Sequence, residues 1–215
     1  MFSPGCALML YKPELADVVH KQLKKFYNEL EIYTACCHHE PKLKEKTNII
    51  NICPGCDKRF GNQYKLTETI SLWEILADSK DFVFPNYKGK EMTIIDACPT
   101  RQNEKVHDAI RTLIKKMNIK LIEPEKTRTK STCCGDSFYG KLPIDQIEKL
   151  MMKKAEGMPV EDVIVYCVSC TKSMFIGGKT PHYLVDLLFN QQTEAQTTDP
   201  DEWHKQLDEY IEEHK

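Results

Sequence analysis

Short apolar runs alternate with amphipathic segments along the chain, and this alternation predicts small α/β units. The apolar runs are rich in isoleucine and valine and are typical of buried strands; they occupy residues 48–52, 92–97 and 163–166, with weaker signals at 32–34 and 120–122. The amphipathic segments repeat apolar residues every three or four positions, which predicts helices. The first starts at about Pro13, and the others cover residues 66–76, 103–117, 144–157 and 181–189.

A polar stretch with turn-forming residues divides this pattern into two halves. Residues 80–90 contain Pro85, Asn86 and Gly89, which favour a boundary there. We therefore expect a first repeat over residues 1–85, a second over 90–190, and a tail over 191–215. Residues 191–199 of the tail are polar and are expected to be mobile. A terminal helix is predicted after them, because Asp199 is a favourable N-cap residue and Pro200 suits the first helical position.

The ten cysteines repeat one order in both halves: a single cysteine, an adjacent pair and a C-x-x-C motif. The first set is Cys6, Cys36, Cys37, Cys53 and Cys56. The second set is Cys98, Cys133, Cys134, Cys167 and Cys170.

Neighbouring segments align with the cysteines, since residues 48–53 match 162–167 and residues 72–76 match 183–188. This indicates an internal duplication. The predicted fold is α/β: two pseudo-symmetric repeats, each a small, mostly parallel sheet with flanking helices, plus a C-terminal helix. Cys6 is expected in a loop after Pro4 and Gly5. Each of the other cysteine groups follows a predicted strand, so all should gather at one edge of a sheet.

Composition narrows the classes of function. The 215 residues carry a formal net charge of -2, which offers no general basic field for nucleic acid. No apolar run is long enough for a membrane span. The N-terminus lacks a basic start, so we expect no signal peptide and a cytoplasmic, reducing environment. There, clustered cysteines bind metal or carry out redox chemistry more often than they form disulfides.

Thiolates favour zinc or iron–sulfur clusters. A structural zinc ion or an ordinary cluster takes four protein ligands, whereas each set here has five. Either one cysteine of each set is free, or the bound group takes five thiolates. Neither a ferredoxin-type cysteine run nor a glycine-rich dinucleotide motif is found. A redox role would therefore need electrons from another protein.

Other polar residues lie close to the cysteines in sequence. His38 and His39 are candidate ligands or proton donors, and His182 is a candidate donor near the second set. Lys58 and Lys172 follow the C-x-x-C motifs and could partly neutralise the negative charge of a cluster. Ordinary solvated, capping or packing roles are the alternatives for all five.

The cysteine pattern resembles the CCG cysteine-rich domain family, whose best-described member is the CCG-containing component of heterodisulfide reductase. The resemblance extends over roughly residues 1–190. The second set, with Gly135 after its pair, follows the family spacing. The first departs from it: His38 follows the pair, and fifteen residues separate Cys37 from Cys53, against thirty-two between Cys134 and Cys167. The family helix at 144–157 therefore has no counterpart in the first half.

The resemblance implies an unusual non-cubane [4Fe–4S] cluster on all five cysteines of each set. A zinc site made from four of the five cysteines is the alternative for the first set. It implies a subunit of an oxidoreductase of the heterodisulfide reductase type, in thiol–disulfide reduction or electron transfer. The expected partners are a ferredoxin-like iron–sulfur subunit or a flavoprotein, with a disulfide as a possible substrate. The alternatives are an electron-relay subunit of a glycerol-3-phosphate or lactate dehydrogenase, or a zinc-stabilised interaction module.

Overall fold

A computed structural model describes all 215 residues, and its strands lie in two parallel sheets, one in each half of the chain. The strands are β1 (Phe2–Ser3), β2 (Thr47–Asn51), β3 (Thr67–Ser71), β4 (Glu91–Ile95), β5 (Lys120–Leu121), β6 (Asp162–Val165) and β7 (Thr180–Tyr183).

Nine helices flank the sheets. They are α1 (Cys6–Tyr11), α2 (Pro13–Leu23), α3 (Pro54–Gln63), α4 (Leu72–Asp78), α5 (Glu104–Lys116), α6 (Ile144–Glu156), α7 (Val168–Ile176), α8 (Leu184–Leu188) and α9 (Pro200–Glu213). None of them is both long and apolar enough to cross a membrane.

The two sheets have the same topology. The first has the order β1-β2-β3, with one parallel bridge from Phe2 to Ile32 on the outer side of β1. The second has the order β5-β4-β6-β7. When the two sheets are compared strand by strand, β1 corresponds to β4, β2 to β6 and β3 to β7. The Ile32 bridge takes the place of β5. The α/β fold with two pseudo-symmetric repeats and a C-terminal helix is thus confirmed.

Two predicted helices are wrong in their first halves. The prediction over residues 66–76 covers β3, which pairs with β2 from Thr67 to Ser71, and only then α4. Over residues 181–189, β7 pairs with β6 before α8 begins. The short strands lie at open sheet edges, where apolar positions at helical spacing need not be buried: Leu66 and Ile70 are 38% and 37% exposed. Parallel pairing decided the conformation, overriding the local pattern.

Further differences concern the segments around the cysteines. Helices α3 and α7, which sequence reasoning missed, begin directly after the first cysteine of each C-x-x-C motif and contain the second. Their apolar faces are interrupted by cysteine and small polar residues, so the helical period is weak. Cys6 is the first residue of α1 and does not lie in a loop. The strand signal at 32–34 produces only the single Ile32 bridge.

Buried contacts join the two halves. A single hydrophobic cluster contains core residues from both sheets, and α4 packs against α5 across the junction. Trp73 of α4 meets Tyr166 edge-on with a centroid distance of 6.3 Å. Tyr11 packs edge-on against Tyr183 at 5.6 Å. The repeats therefore share one core.

Residues 191–199 were expected to be mobile, but the structure holds them by hydrogen bonds. Thr193 donates to the buried carboxylate of Asp186 at 3.0 Å, and the backbone N–H of Glu194 donates to the Tyr11 hydroxyl at 3.1 Å. The Gln196 side chain donates to the Tyr11 carbonyl at 2.8 Å. Polar side chains here find partners on α1 and α8, which periodicity cannot reveal.

The terminal helix α9 is capped as predicted. The Asp199 side chain accepts hydrogen bonds from the N–H groups of Asp201 and Glu202, and Pro200 occupies the first turn. Trp203 is buried and Leu207 packs against the core. The amphipathic pattern of this segment thus docks it on the body of the protein.

The Tyr11 hydroxyl is expected to contribute to stability, because it donates to Asp186 at 2.6 Å and accepts from the Glu194 N–H. Tyr11→Phe leaves both groups short of a partner and should lower the free energy of unfolding by about 1–2 kcal/mol. Tyr27→Phe is the matched control, since Tyr27 is 40% exposed. Urea unfolding followed by tryptophan fluorescence measures both. Equal stability of the two variants would contradict this role.

Candidate functional site

The cysteines lie where strands end. Cys53 and Cys167 follow β2 and β6 and are the N-cap residues of α3 and α7. Cys6 opens α1 shortly after β1, and Cys98 opens a 3-10 turn (Cys98–Thr100) after β4. Because the strands are parallel, their carboxyl ends meet at one edge of each sheet. The fold thereby brings together sulfurs that are far apart in sequence.

The five thiols of the first set contact one another in a row. From end to end the row is Cys6, Cys36, Cys37, Cys56 and Cys53. The two cysteines of the pair and Cys56 are buried. They form a small core of their own with Ile49 and Phe60.

The second set forms a row in the same order. It runs Cys98, Cys133, Cys134, Cys170 and Cys167. The single cysteine contacts the first member of the pair, and the second member contacts the C-x-x-C motif. The duplication therefore extends to the contacts between sulfurs.

In each row, the first cysteine of the adjacent pair is stabilised as a thiolate. Hydrogen bonds from the thiols of Cys37 and Cys6 lower the pKa of Cys36 to about 2. In the same way, hydrogen bonds from Cys134 and Cys98 hold the pKa of Cys133 far below its usual value, helped by the Ser137 hydroxyl. The hydrogen bond from Cys56 and the N–H groups of the α3 N-terminus lower the pKa of Cys53 to about 7. Thiolate is the form that binds metal.

Gly135 explains a difference between the repeats. It has φ +115°, and a Cβ atom there would lie 2.8 Å from Met151 Cγ and 3.3 Å from the Ile147 carbonyl, both on α6. The close packing of α6 thus requires glycine after the second pair. The first repeat has no such helix, and His38 at the equivalent position is exposed with an ordinary φ.

Gly5 makes a similar close approach in the first repeat. It has φ +79°, and a Cβ atom there would lie 3.1 Å from both Cys53 Cβ and Cys56 Sγ. The chain can therefore deliver Cys6 to the C-x-x-C turn only without a side chain at this position.

A buried carboxylate holds the loop that leads to Cys133. Asp96 accepts hydrogen bonds from the Arg111 guanidinium and from the backbone N–H of Arg128. Its own carbonyl accepts from the Ser131 hydroxyl at 2.9 Å. Burial alone would raise the pKa of Asp96, but Arg111 outweighs it and keeps the pKa below the usual value.

Cations and a carboxylate surround the second set. Lys172 binds Asp136 at 2.9 Å, and His204 binds the same carboxylate at 3.3 Å. Burial would raise the pKa of Asp136, but these two partners lower it. Lys154 is also buried; burial lowers its pKa, and the charges of Cys170 and Cys134 oppose that change. Lys172 was recognised in the sequence as a candidate cation near the cysteines.

The terminal helix touches both sets. Near its start, Trp203 donates to the hydroxyl of Ser169, inside the second C-x-x-C turn, at 3.3 Å. Near its end, Ile211 packs against the first set. The His214 carbonyl then accepts from the Cys36 N–H at 2.9 Å. Helix α9 therefore covers the space between the two sets.

An open groove of about 530 Å³ lies between the first C-x-x-C motif and the second set. Gly55 of the first C-x-x-C motif lines one side, and Cys98 and Cys133 line the other. Lys58 and Arg101 add positive charge, and Phe138 adds an apolar surface. A cavity of this size accommodates a small molecule, so an external reactant can approach the sulfurs here.

The histidines have other partners. His182 pairs with Asp162 beside Lys90 at the start of β6, away from the cysteines. His39 bonds to the Ile211 carbonyl at 2.9 Å. Both therefore have structural hydrogen bonds. His38 is exposed, and its backbone N–H and its charge help lower the pKa of Cys36.

No group of three or more His, Cys, Asp or Glu side chains is arranged to hold one metal ion. In donor chemistry, five soft sulfur ligands in each set fit a cofactor containing several metal atoms. Sequence reasoning missed Lys154, Asp136 and Asp57 as neighbours of the sets. Only the position of Asp136 directly after the C-C-G motif, and of Asp57 directly after Cys56, could have indicated two of them.

Comparison with protein families gives a match within the second half of the chain. Residues 92–175 match the family model of the CCG cysteine-rich domain. The matched segment contains all five cysteines of the second set. A search of curated proteins found no match to the chain.

The tight contact at Gly135 predicts a difference between equivalent positions. Gly135→Ala should lower the free energy of unfolding by about 2–4 kcal/mol, because it adds backbone strain and a clash with α6. It should also increase the reactivity of the second-set thiols toward Ellman's reagent. His38→Ala, the equivalent position in the first repeat, should change stability by about 0.5 kcal/mol or less. Similar losses in both variants would show that α6 does not impose the glycine.

Proposed function

Because residues 92–175 match the CCG cysteine-rich domain family, we propose that this chain is an iron–sulfur subunit of an oxidoreductase. Each cysteine set would hold one [4Fe–4S] cluster of the non-cubane type. The role would be similar to that of the CCG-containing component of heterodisulfide reductase, in thiol–disulfide reduction or electron transfer. Residues 1–85 and 90–190 would be the two cluster-binding repeats, and residues 191–215 the segment that covers them.

The observation that carries this proposal is the matched order of contacts in the two rows of sulfurs. Cys6, Cys36 and Cys37 correspond in contact order to Cys98, Cys133 and Cys134, and both rows continue into a C-x-x-C motif. Two equivalent centres close to one groove are suited to a reaction that needs two electrons.

The clusters would supply one-electron transfer. Reduction of a disulfide, R–S–S–R′, takes two electrons and two protons and gives R–SH and R′–SH. The chain has no dinucleotide motif, so the electrons would come from a ferredoxin-like iron–sulfur subunit or a flavoprotein. The location would be the cytoplasm, where thiols are kept reduced.

The groove between the two sets would be the substrate-binding site. Lys58 and Arg101 would orient a polar substrate, and Phe138 would pack against its apolar portion. The sulfurs of Cys98 and Cys133 border the same space. A disulfide held there would lie beside the second set.

A mixed-metal interaction module is the second candidate. The first repeat has no helix equivalent to α6, and His38, a further possible ligand, lies beside the pair. These features favour a zinc ion on four of the five cysteines in the first repeat, without redox activity. A dehydrogenase electron-relay subunit would share both clusters but lack a disulfide substrate.

Metal analysis tests the iron–sulfur assignment. Anaerobically purified protein should be brown and contain iron and acid-labile sulfide near the amounts for two clusters. A Cys98→Ser/Cys133→Ser variant should lose about half of both, and a Cys6→Ser/Cys36→Ser variant the other half. A colourless protein with stoichiometric zinc and no iron would refute the assignment. Zinc lost only with the first-set variant would support the mixed-metal module.

Reoxidation kinetics separate disulfide reduction from electron relay. Low-molecular-weight disulfides should reoxidise the reduced protein, and Lys58→Gln should slow this severalfold, because it removes a charge from the groove. Lys65→Gln is the control, since Lys65 is exposed and lies outside the groove. Absorbance of the clusters under anaerobic stopped flow measures the rate. Failure of every disulfide tested to reoxidise the protein would favour the relay.

A further inference from the structure

Three lysines are buried in this protein, and one of them has no acidic partner. Lys12, Lys154 and Lys172 are only 6%, 7% and 5% exposed. Lys12 binds Asp186 at 3.0 Å and Lys172 binds Asp136 at 2.9 Å. Lys154 has no carboxylate oxygen within 4.0 Å. An isolated buried ammonium is costly, so its presence calls for another source of negative charge.

The surroundings of Lys154 identify that source. Its Nζ makes two long hydrogen bonds, to the Ser131 hydroxyl at 3.4 Å and the Thr132 hydroxyl at 3.5 Å. Both residues directly precede Cys133. Lys154 also lines one cavity with Cys133. Since Asp96 already binds Arg111, the sulfurs of the second set, which bind metal as thiolates, are the source of negative charge left to balance Lys154.

The first set has the opposite charge beside it. No lysine or arginine is buried against the first set. The one buried cation of that half of the chain is Lys12, and it is paired with Asp186. Asp57 follows Cys56 directly, and its Oδ1 is buried without a hydrogen-bond partner. The equivalent residue in the second repeat is Thr171. The two sets thus have matching sulfurs but differ in the charges that surround them.

We infer that Lys154 is the counter-ion of the second set and gives a cofactor held there a more positive reduction potential than one held by the first set. One-electron reduction adds a negative charge to the centre. A fixed positive charge nearby stabilises the reduced form, and the carboxylate of Asp57 destabilises it at the first set. The statement about potentials rests on the proposed iron–sulfur function, whereas the counter-ion role does not.

This asymmetry sets a direction for electrons. An electron leaving a reduced first-set centre would be gained by an oxidised second-set centre, with one electron lost and one gained. Electrons would then collect at Cys98 and Cys133, which border the groove. Lys154 acts through the sulfurs and is therefore a positioning residue, not a catalytic one.

The counter-ion role can be tested in metal-free, reduced protein with a pair of reagents that differ in charge. Iodoacetate is an anion and iodoacetamide is neutral, so the ratio of their rates at one cysteine reports the local charge, while the thiolate fraction cancels. Cys133 and Lys154 line the same cavity of about 620 Å³, which makes Cys133 the reporter. Peptide mass spectrometry gives the two rates.

Lys154→Met should lower the iodoacetate-to-iodoacetamide ratio at Cys133 by about threefold or more. Lys154→Arg should restore it, because it keeps the charge. Lys153→Met is the matched control: Lys153 lines the same cavity but is exposed, so solvent screens its charge. The ratio at Cys6 should not change in any variant. An unchanged ratio in Lys154→Met, or an equal fall in Lys153→Met, would overturn the assignment.

The metal-loaded protein provides the second measurement. Lys154→Met should weaken electron binding at the second set by about tenfold, which is about 59 mV for a one-electron couple, and leave the first set unchanged. Lys154→Arg should keep the wild-type value. A second-set potential that does not shift would overturn the inference on potentials. If the purified protein contained no iron, the proposed function would be wrong. The iodoacetate-to-iodoacetamide ratio would still decide whether Lys154 is the counter-ion.

Discussion

The structure depends on holding five thiols in contact, although each set is drawn from positions tens of residues apart. Parallel strands meet this requirement because their carboxyl ends lie at one edge, and helices or turns can begin immediately afterwards. The first cysteine of each C-x-x-C motif is the N-cap residue of a helix. At Cys53, N–H groups of the α3 N-terminus help to lower the pKa of the thiol. The rows of thiols follow from strand order before any cofactor is considered.

The duplication keeps this framework and changes what surrounds it. Helix α6 exists only in the second repeat, and its packing against Gly135 makes glycine necessary there. Without that helix, His38 is accommodated in the first repeat on an ordinary backbone. Helix α9 has no repeat counterpart; it extends from Ser169 of the second set to Cys36 of the first. Equivalent sulfurs are thus placed in environments that are not equivalent.

Electrostatics distinguishes the sets further. Gathering several thiolates in a partly buried space is unfavourable unless hydrogen bonds and positive charges compensate. The second set has Lys154 nearby and the Lys172–Asp136 pair at its edge, whereas Asp57 lies beside the first. In the proposed function, two centres with the same ligands would therefore have different potentials. The difference would come from neighbouring side chains and not from the sulfurs.

The sequence by itself determined the two cysteine sets, the duplication, the α/β class and the capped terminal helix, because these depend on identity, spacing and local periodicity. It also predicted β2, β4 and β6, whose apolar runs are buried on both faces. Only the tertiary structure decided that residues 67–71 and 180–183 are strands, since edge pairing outweighed a helical pattern. It also decided that residues 191–199 are held in place and that Lys154 lies against thiolates. Those outcomes depend on partners distant in sequence, which no local pattern encodes.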